Sequence, residues 1–267
     1  MANKPVEICQ LAADSGQYKS GLKIDSLILR SFMGGSYIAI GGALSTIVST
    51  GIMTPGIKQL IAGAVFPVGL IALVLTGMEL FTGDCMTVPM ACMQKRIKWD
   101  KILYVWLWAY IGNFIGSLFW AYLMAVGPFV KGGSSELTVF GQNAISIAEN
   151  KVLLYQSAGF NGLWSAFMKG IACNLLVNLA ILLSFSSKEM IGKFFGIWFP
   201  IMAFVASGFE HSVANMYFVP AGIFVGANVT WGQFLFWNLI PVTIGNIIGG
   251  AIFIGLVYNL AFKKELS

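Results

Sequence analysis

Apolar residues run through most of this chain in long blocks, not in the narrow stripe of a soluble amphipathic helix. A membrane-crossing helix needs about 20 apolar residues. Four blocks meet that length: 27–49, 101–126, 159–185 and 233–262. Two more are longer and interrupted. The block 57–94 is broken at 79–84 by the stretch from Glu79 to Asp84, and 190–227 is broken at 208–212 by the stretch from Gly208 to Ser212. Too few residues follow Asp84 before Gln94-Lys95-Arg96 to cross a core of ~30 Å at about 1.5 Å per residue. Each interrupted block therefore reads as one broken span, and the pattern predicts six spans in all.

The two halves of the chain resemble each other. Pro67, Glu79, Pro89 and Gly112-Asn113 are matched in order by Pro200, Glu210, Pro220 and Gly245-Asn246. The Glu-to-Pro spacing is ten residues in both, and IGNFIG at 111–116 echoes IGNIIG at 244–249. Three spans per half invert the second copy in the membrane. Inverted repeats with broken helices build sites near the midplane of transporters and channels. Unwound backbone there must be buried in protein or line a cavity. The glycines at 112, 116, 245 and 249 share a helix face and suit close helix packing.

The expected fold is thus an all-α membrane protein, six spans as an inverted 3+3 repeat with two broken helices. A cytoplasmic amphipathic segment, 1–26, precedes a six-span domain over 27–262 with halves 27–130 and 159–262, and a short tail, 263–267, follows. Residues 5–24 read as a helix on the membrane surface.

Composition agrees. The 267 residues are 57% apolar and 10% charged, with mean hydropathy +0.80, whereas a soluble domain carries roughly a quarter charged residues. The first 26 residues hold no apolar run of the signal-peptide kind, so no cleaved leader is expected. The net charge of +5 matches membrane-flanking lysines. No basic stripe interleaves with aromatics, and nucleic acid is not an expected partner; the bilayer is. Lys4, Lys19, Lys23, Arg30, Lys95, Arg96, Lys98, Lys101, Lys188, Lys193, Lys263 and Lys264 fall on one side, against Lys58, Lys131 and Lys151 on the other. The basic bias puts both termini in the cytoplasm. Lys169 lies inside a span.

Cys9, Cys85, Cys92 and Cys173 form no CxxC, and His211 is the one histidine. No metal site or cofactor is expected. Glu210 and His211 lack the serine, metal ligands or cofactor motif that an intramembrane enzyme would need. A pure scaffold leaves both charged breaks unexplained. Glu79 and Glu210 suit loop support, since a carboxylate accepts hydrogen bonds from N–H groups freed at a break. His211 is a pore-lining candidate because it lies at such a break; the ordinary alternative is a hydrogen-bonded core histidine.

The segments FPVGL (66–70), ELFTG (79–83), CNLLVNLA (173–180), KFFGIWFPIMAFVASGFEHSVANM (193–216) and NLIPVTIGNIIGG (238–250) resemble the formate/nitrite transporter family over about residues 6–262. Overall likeness is greatest to its hydrosulfide channel branch. The resemblance implies an aquaporin-like protomer in a homopentamer, each protomer with its own pore. It implies an outer constriction of Phe66 and Phe204, an inner one of Leu70 and Leu80 with Val213, and His211 between. Thr82 and Asn174 would offer polar contacts, Lys151 would attract anions at the outer mouth, and Asn246 would stand on the pore side. Two departures stand out. Asp84 follows FTG, where the family more often has an uncharged residue, and is expected to turn from the lumen towards a basic group. Asn178 replaces a cysteine, an expected packing difference.

A dehydrated anion in an apolar pore is costly. Half-helix N-termini can hold it, or a proton from His211 can neutralise it. The expected function is a cytoplasmic-membrane channel for small inorganic or organic monovalent anions, with hydrosulfide favoured. Formate or nitrite conduction and an obligately proton-coupled carrier are the alternatives. Asn174 is the side-chain neighbour expected for His211.

Overall fold

The computed structural model describes residues 2–266, so Met1 and Ser267, the end of the expected tail, lie outside the described residues. The apolar blocks fold as helices: α1 (Pro5–Ser20), α2 (Ile24–Val48), α3 (Pro55–Val65), α4 (Val68–Thr76), α5 (Phe81–Met93), α6 (Asp100–Val126), α7 (Val139–Ser157), α8 (Phe160–Ser186), α9 (Met190–Ala206), α10 (Ser212–Phe224) and α11 (Trp231–Ala261). A last turn covers Lys263–Leu266. Five helices are long and apolar enough to cross a membrane: α2, the pair α3 and α4 taken as Pro55–Thr76, α6, α8 and α11. The remaining span is divided between α9 and α10.

Both interruptions are real breaks; the first is shorter than the sequence pattern suggested, and the second lies one residue earlier. In the first, α4 stops at Thr76 and α5 already begins at Phe81, so the Phe81–Asp84 part of the expected break is helical. Its Phe81 N–H is capped from outside by Asn113 Oδ1 at 2.8 Å, which lets the helix start there. In the second, α9 ends at Ala206 and His211 is the N-cap of α10. Each break opens on a glycine two residues before the glutamate. Gly77 has φ 72° and Gly208 φ 70°, left-handed values that favour glycine.

The glycine pattern at 112, 116, 245 and 249 serves packing. A Cβ on Gly116 would stand 1.9 Å from the Phe32 carbonyl oxygen, and one on Gly249 would stand 2.4 Å from that of Ile171. These contacts draw α6 onto α2 and α11 onto α8, the same pairing in each half. α11 is not uniformly α-helical, for Leu235–Leu239 and Gly249–Leu256 are π-helical turns.

Two helices differ from expectation. α1 is more than a surface helix: Cys9, Ala12 and Ala13 are fully buried, and a Cβ on Gly16 would meet the Thr87 oxygen of α5 at 2.1 Å. An ion pair between Arg96 and Asp14 holds it further. α7 fills the unassigned segment between the halves and packs on α10. Its helix is too polar to register as an apolar block.

Candidate functional site

The two breaks are held by the same device. Asn113 of α6 accepts from Phe81 N–H at 2.8 Å and donates to Glu79 O at 3.0 Å and Ser31 O at 2.7 Å. Asn246 of α11 accepts from Ser212 N–H at 2.8 Å and donates to Glu210 O at 3.0 Å and Gly170 O at 2.8 Å. The N–H groups of Glu79 and Glu210 reach the carbonyls of Arg30 and Lys169 in turn, at 3.4 and 3.3 Å. Each of these bonds at one break has its counterpart at the other. Unpaired backbone polar groups are costly when buried, and these asparagines remove that cost.

The carboxylates are anchored too. Glu79 pairs with Lys19 of α1 at 2.9 Å, and Lys19 also meets Asp84 at 2.6 Å. Glu210 pairs with Lys151 of α7 at 2.8 Å and accepts from Tyr155 Oη at 2.9 Å and Asn215 Nδ2 at 2.7 Å. Asn215 is held in turn by Asn238 at 2.8 Å.

His211 and Thr82 join the breaks, with 2.9 Å between His211 Nε2 and Thr82 Oγ1. On the other side of the ring, Nδ1 accepts from Ala214 N–H at 2.9 Å. A backbone N–H can only donate, so Nδ1 carries no proton. The proton of the neutral ring is then on Nε2 and is donated to Thr82. The Thr82 hydroxyl hydrogen stays free for another acceptor. In the first turns of α5 and α10, the N–H groups of Thr82, Gly83 and Val213 have no hydrogen-bond partner among the described residues. Such groups at a helix N-terminus suit an anion.

Two cavities approach this pair. They are called outer and inner after the orientation expected from the basic residues. The outer one measures 690 Å³; Phe66, Phe204 and His211 line it together with Lys58, Lys151 and Lys169. The Phe66 and Phe204 rings meet edge to face at 5.6 Å, and Phe204 stacks on His211 at 5.8 Å. The inner cavity measures 430 Å³ and is lined by Leu80, Glu79, Lys19 and Arg30. Leu70 and Val213 are fully buried in the same apolar core as Phe66, Leu80 and Phe204.

The structure therefore brings His211, Thr82, Phe204 and Phe66 together, with Leu70, Leu80 and Val213 in the same apolar core as the two phenylalanines. Asn174 makes no hydrogen bond to the ring among the described residues. Its Nδ2 donates to the Thr82 and Asn246 carbonyls at 3.0 and 2.6 Å, so it holds backbone while Thr82 takes the ring. Asn246 is fully buried and its amide is spent on the break. Asn178 adds a second donor to Thr82 O at 3.2 Å, more than a packing difference. Asp84 turns to Lys19, as expected of it. Lys19, Tyr155, Asn215 and Asn238 escaped the sequence reading. The repeat of glycine two residues before glutamate, GME and GFE, was the one local signal left unread.

Comparisons with known proteins agree with this arrangement. A model of the formate/nitrite transporter family matches residues 6–260. A probable formate transporter of Methanothermobacter thermautotrophicus is 41% identical, over 98% of this chain and 97% of its own. Among solved structures, an FNT family ion channel superposes with a TM-score of 0.84 at 28% identity, covering 96% of this chain and 99% of that one. A pentameric formate channel with formate bound gives 0.75 at 32% identity, covering 90% and 98%.

Proposed function

Since this chain belongs to the formate/nitrite transporter family, we propose that it is a homopentameric channel of the cytoplasmic membrane for small monovalent anions. Formate is its first candidate substrate, because relatives named or solved with formate cover nearly its whole length. Likeness to the hydrosulfide branch keeps hydrosulfide as the competing substrate. Both termini lie in the cytoplasm on this reading. The anion enters the outer cavity, passes Phe66 and Phe204, meets His211 and Thr82, and leaves past Leu70 and Leu80, with Val213 packed behind. Passage in the other direction uses the same groups.

The observation that carries this reading is the hydrogen-bond chain from Ala214 N–H through His211 to Thr82. A second proton could reach the ring only at Nδ1, at the expense of its bond to Ala214. His211 therefore serves as a fixed donor at Nε2, not as a lender of protons. Thr82 Oγ–H and the free N–H groups of α5 and α10 replace part of the water an anion sheds. The anion crosses with its charge.

Flux of formate, hydrosulfide, nitrite and chloride into liposomes containing the purified protein tests this. Formate or hydrosulfide should cross well above protein-free liposomes, and chloride should lag. Liposomes no more permeable to any of these anions than protein-free controls would reject the channel.

A further inference from the structure

Among the described residues, both cavities are lined by cations that no carboxylate pairs, Lys58 and Lys169 in the outer one and Arg30 in the inner one, and of these Lys169 and Arg30 are held on tyrosines. In the outer cavity, Lys169 Nζ lies 5.3 Å from the centre of the Tyr155 ring and donates to its hydroxyl at 3.3 Å. In the inner cavity, Arg30 lies 5.5 Å from the Tyr18 ring and donates to that hydroxyl at 2.9 Å. Lys169 and Arg30 are counterparts: their carbonyls receive the N–H groups of Glu210 and Glu79. Among the described residues neither forms an ion pair. The other two lysines near the breaks are engaged. Lys151 is matched by Glu210 at 2.8 Å, and Lys19 is shared by Glu79 and Asp84.

From this we infer that Lys169 on Tyr155, and more weakly Arg30 on Tyr18, are the sites that recruit a small monovalent anion to the two mouths, and that recruitment is stronger at the outer mouth. The inference rests on the channel reading and moves anion attraction from Lys151 to Lys169. A tyrosine neutralises nothing, yet its ring and hydroxyl hold a long flexible cation in place; Tyr155 in turn bonds Glu210, whose charge Lys151 already meets, so the surplus positive charge of this group faces the cavity. Clefts lined by one sign of charge concentrate the opposite ion. The cavities differ in balance. The outer one sets Lys58, Lys151 and Lys169 against Glu210, whereas Lys19 and Arg30 face Glu79 and the Asp84 behind it. Tyr18 is also 56% exposed and Tyr155 8%, so solvent screens the inner site more.

The test is sidedness. In oriented proteoliposomes, formate is supplied from one side at a time and the half-saturating concentration is read for each. Wild type should half-saturate at lower formate from the outer side. Lys169→Gln should raise the outer value roughly three- to tenfold and the inner value far less, and Lys169→Arg should restore it. Arg30→Gln should do the reverse with a smaller shift. The effect is a change of half-saturation, the signature of capture, where a purely structural lesion would lower maximal flux. If the glutamine variants fail to assemble, wild type alone decides: an impermeant electrolyte should raise the outer half-saturation more than the inner. Equal values on the two sides, or a Lys169→Gln variant with the wild-type outer value, would overturn the inference and leave the channel standing. No wild-type flux from either side would remove the channel reading itself.

Discussion

The first break and the second are built on one plan and finished with different chemistry. Glycine turns the chain, glutamate follows, an asparagine from the third helix of the half bonds both strands of the break, and a lysine from a flanking helix meets the glutamate. The residue after the glutamate differs. It is Leu80 in the first break and His211 in the second, each the N-cap of its half-helix. Leucine cannot cap and presents only an apolar surface to the inner cavity; on the proposed channel reading this position narrows the inner path. Histidine caps through Nδ1 and turns Nε2 to Thr82 of the other half. The two supports are equivalent, and the position they hold is apolar in one half and polar in the other. The lesson is that the supports carry the fold and the position they hold carries the passage.

The comparison can be broken at the lysines first, where the largest effect is expected. Lys19→Gln leaves Glu79 and Asp84 buried together without a cation. Removing one partner of a buried pair costs about 3–5 kcal/mol, so the yield of assembled oligomer and its Tm should fall sharply. Adding Asp84→Asn should recover part of the loss. Lys151→Gln should harm less, because Tyr155 and Asn215 remain on Glu210. Equal damage from the two lysine variants would contradict the unequal design of the breaks.

Asn113→Ala and Asn246→Ala come next. Each removes three hydrogen bonds to backbone, and a buried group left unpaired costs about 1–3 kcal/mol. The two variants should be destabilised by similar amounts in thermal unfolding, whatever the baseline. A silent variant at either position would mean that the corresponding break is held by something else.

Smaller effects belong to the passage and should spare assembly. Phe204→Ala removes the ring that stacks on His211 and meets Phe66 in the outer cavity, so formate flux should rise or the panel of permeant anions should widen. Unchanged flux and selectivity would place the narrow point elsewhere. Thr82→Val keeps the shape and loses one hydroxyl, worth about 1 kcal/mol, so formate flux should fall roughly fivefold with a normal oligomer by size-exclusion chromatography. A variant indistinguishable from wild type would show that the hydroxyl takes no part.

Much of this plan was visible in the chain. Broken apolar blocks located both breaks, and the order of Pro, Glu and Gly-Asn exposed the repeat, because packing and backbone satisfaction impose local patterns. The unreadable part joins distant residues. Nothing near Asp84 in sequence points to Lys19, 65 residues away, nor anything near His211 to Thr82, 129 residues away. α7 was missed because its residues are polar and it fills no apolar block, yet it delivers Lys151 and Tyr155. The likeness to the family put Asn174 beside the ring; the bonding shows that asparagine serving the backbone, a distinction that residue identity does not encode.

The central claim is that His211 passes the anion hydrogen-bonded and charged. Its most direct test records formate uptake and electrical current together in proteoliposomes of the wild-type protein. The account predicts one negative charge moved for each formate, with no accompanying proton. Uptake with a proton for each formate and no current would contradict it, and would make His211 a lender of protons.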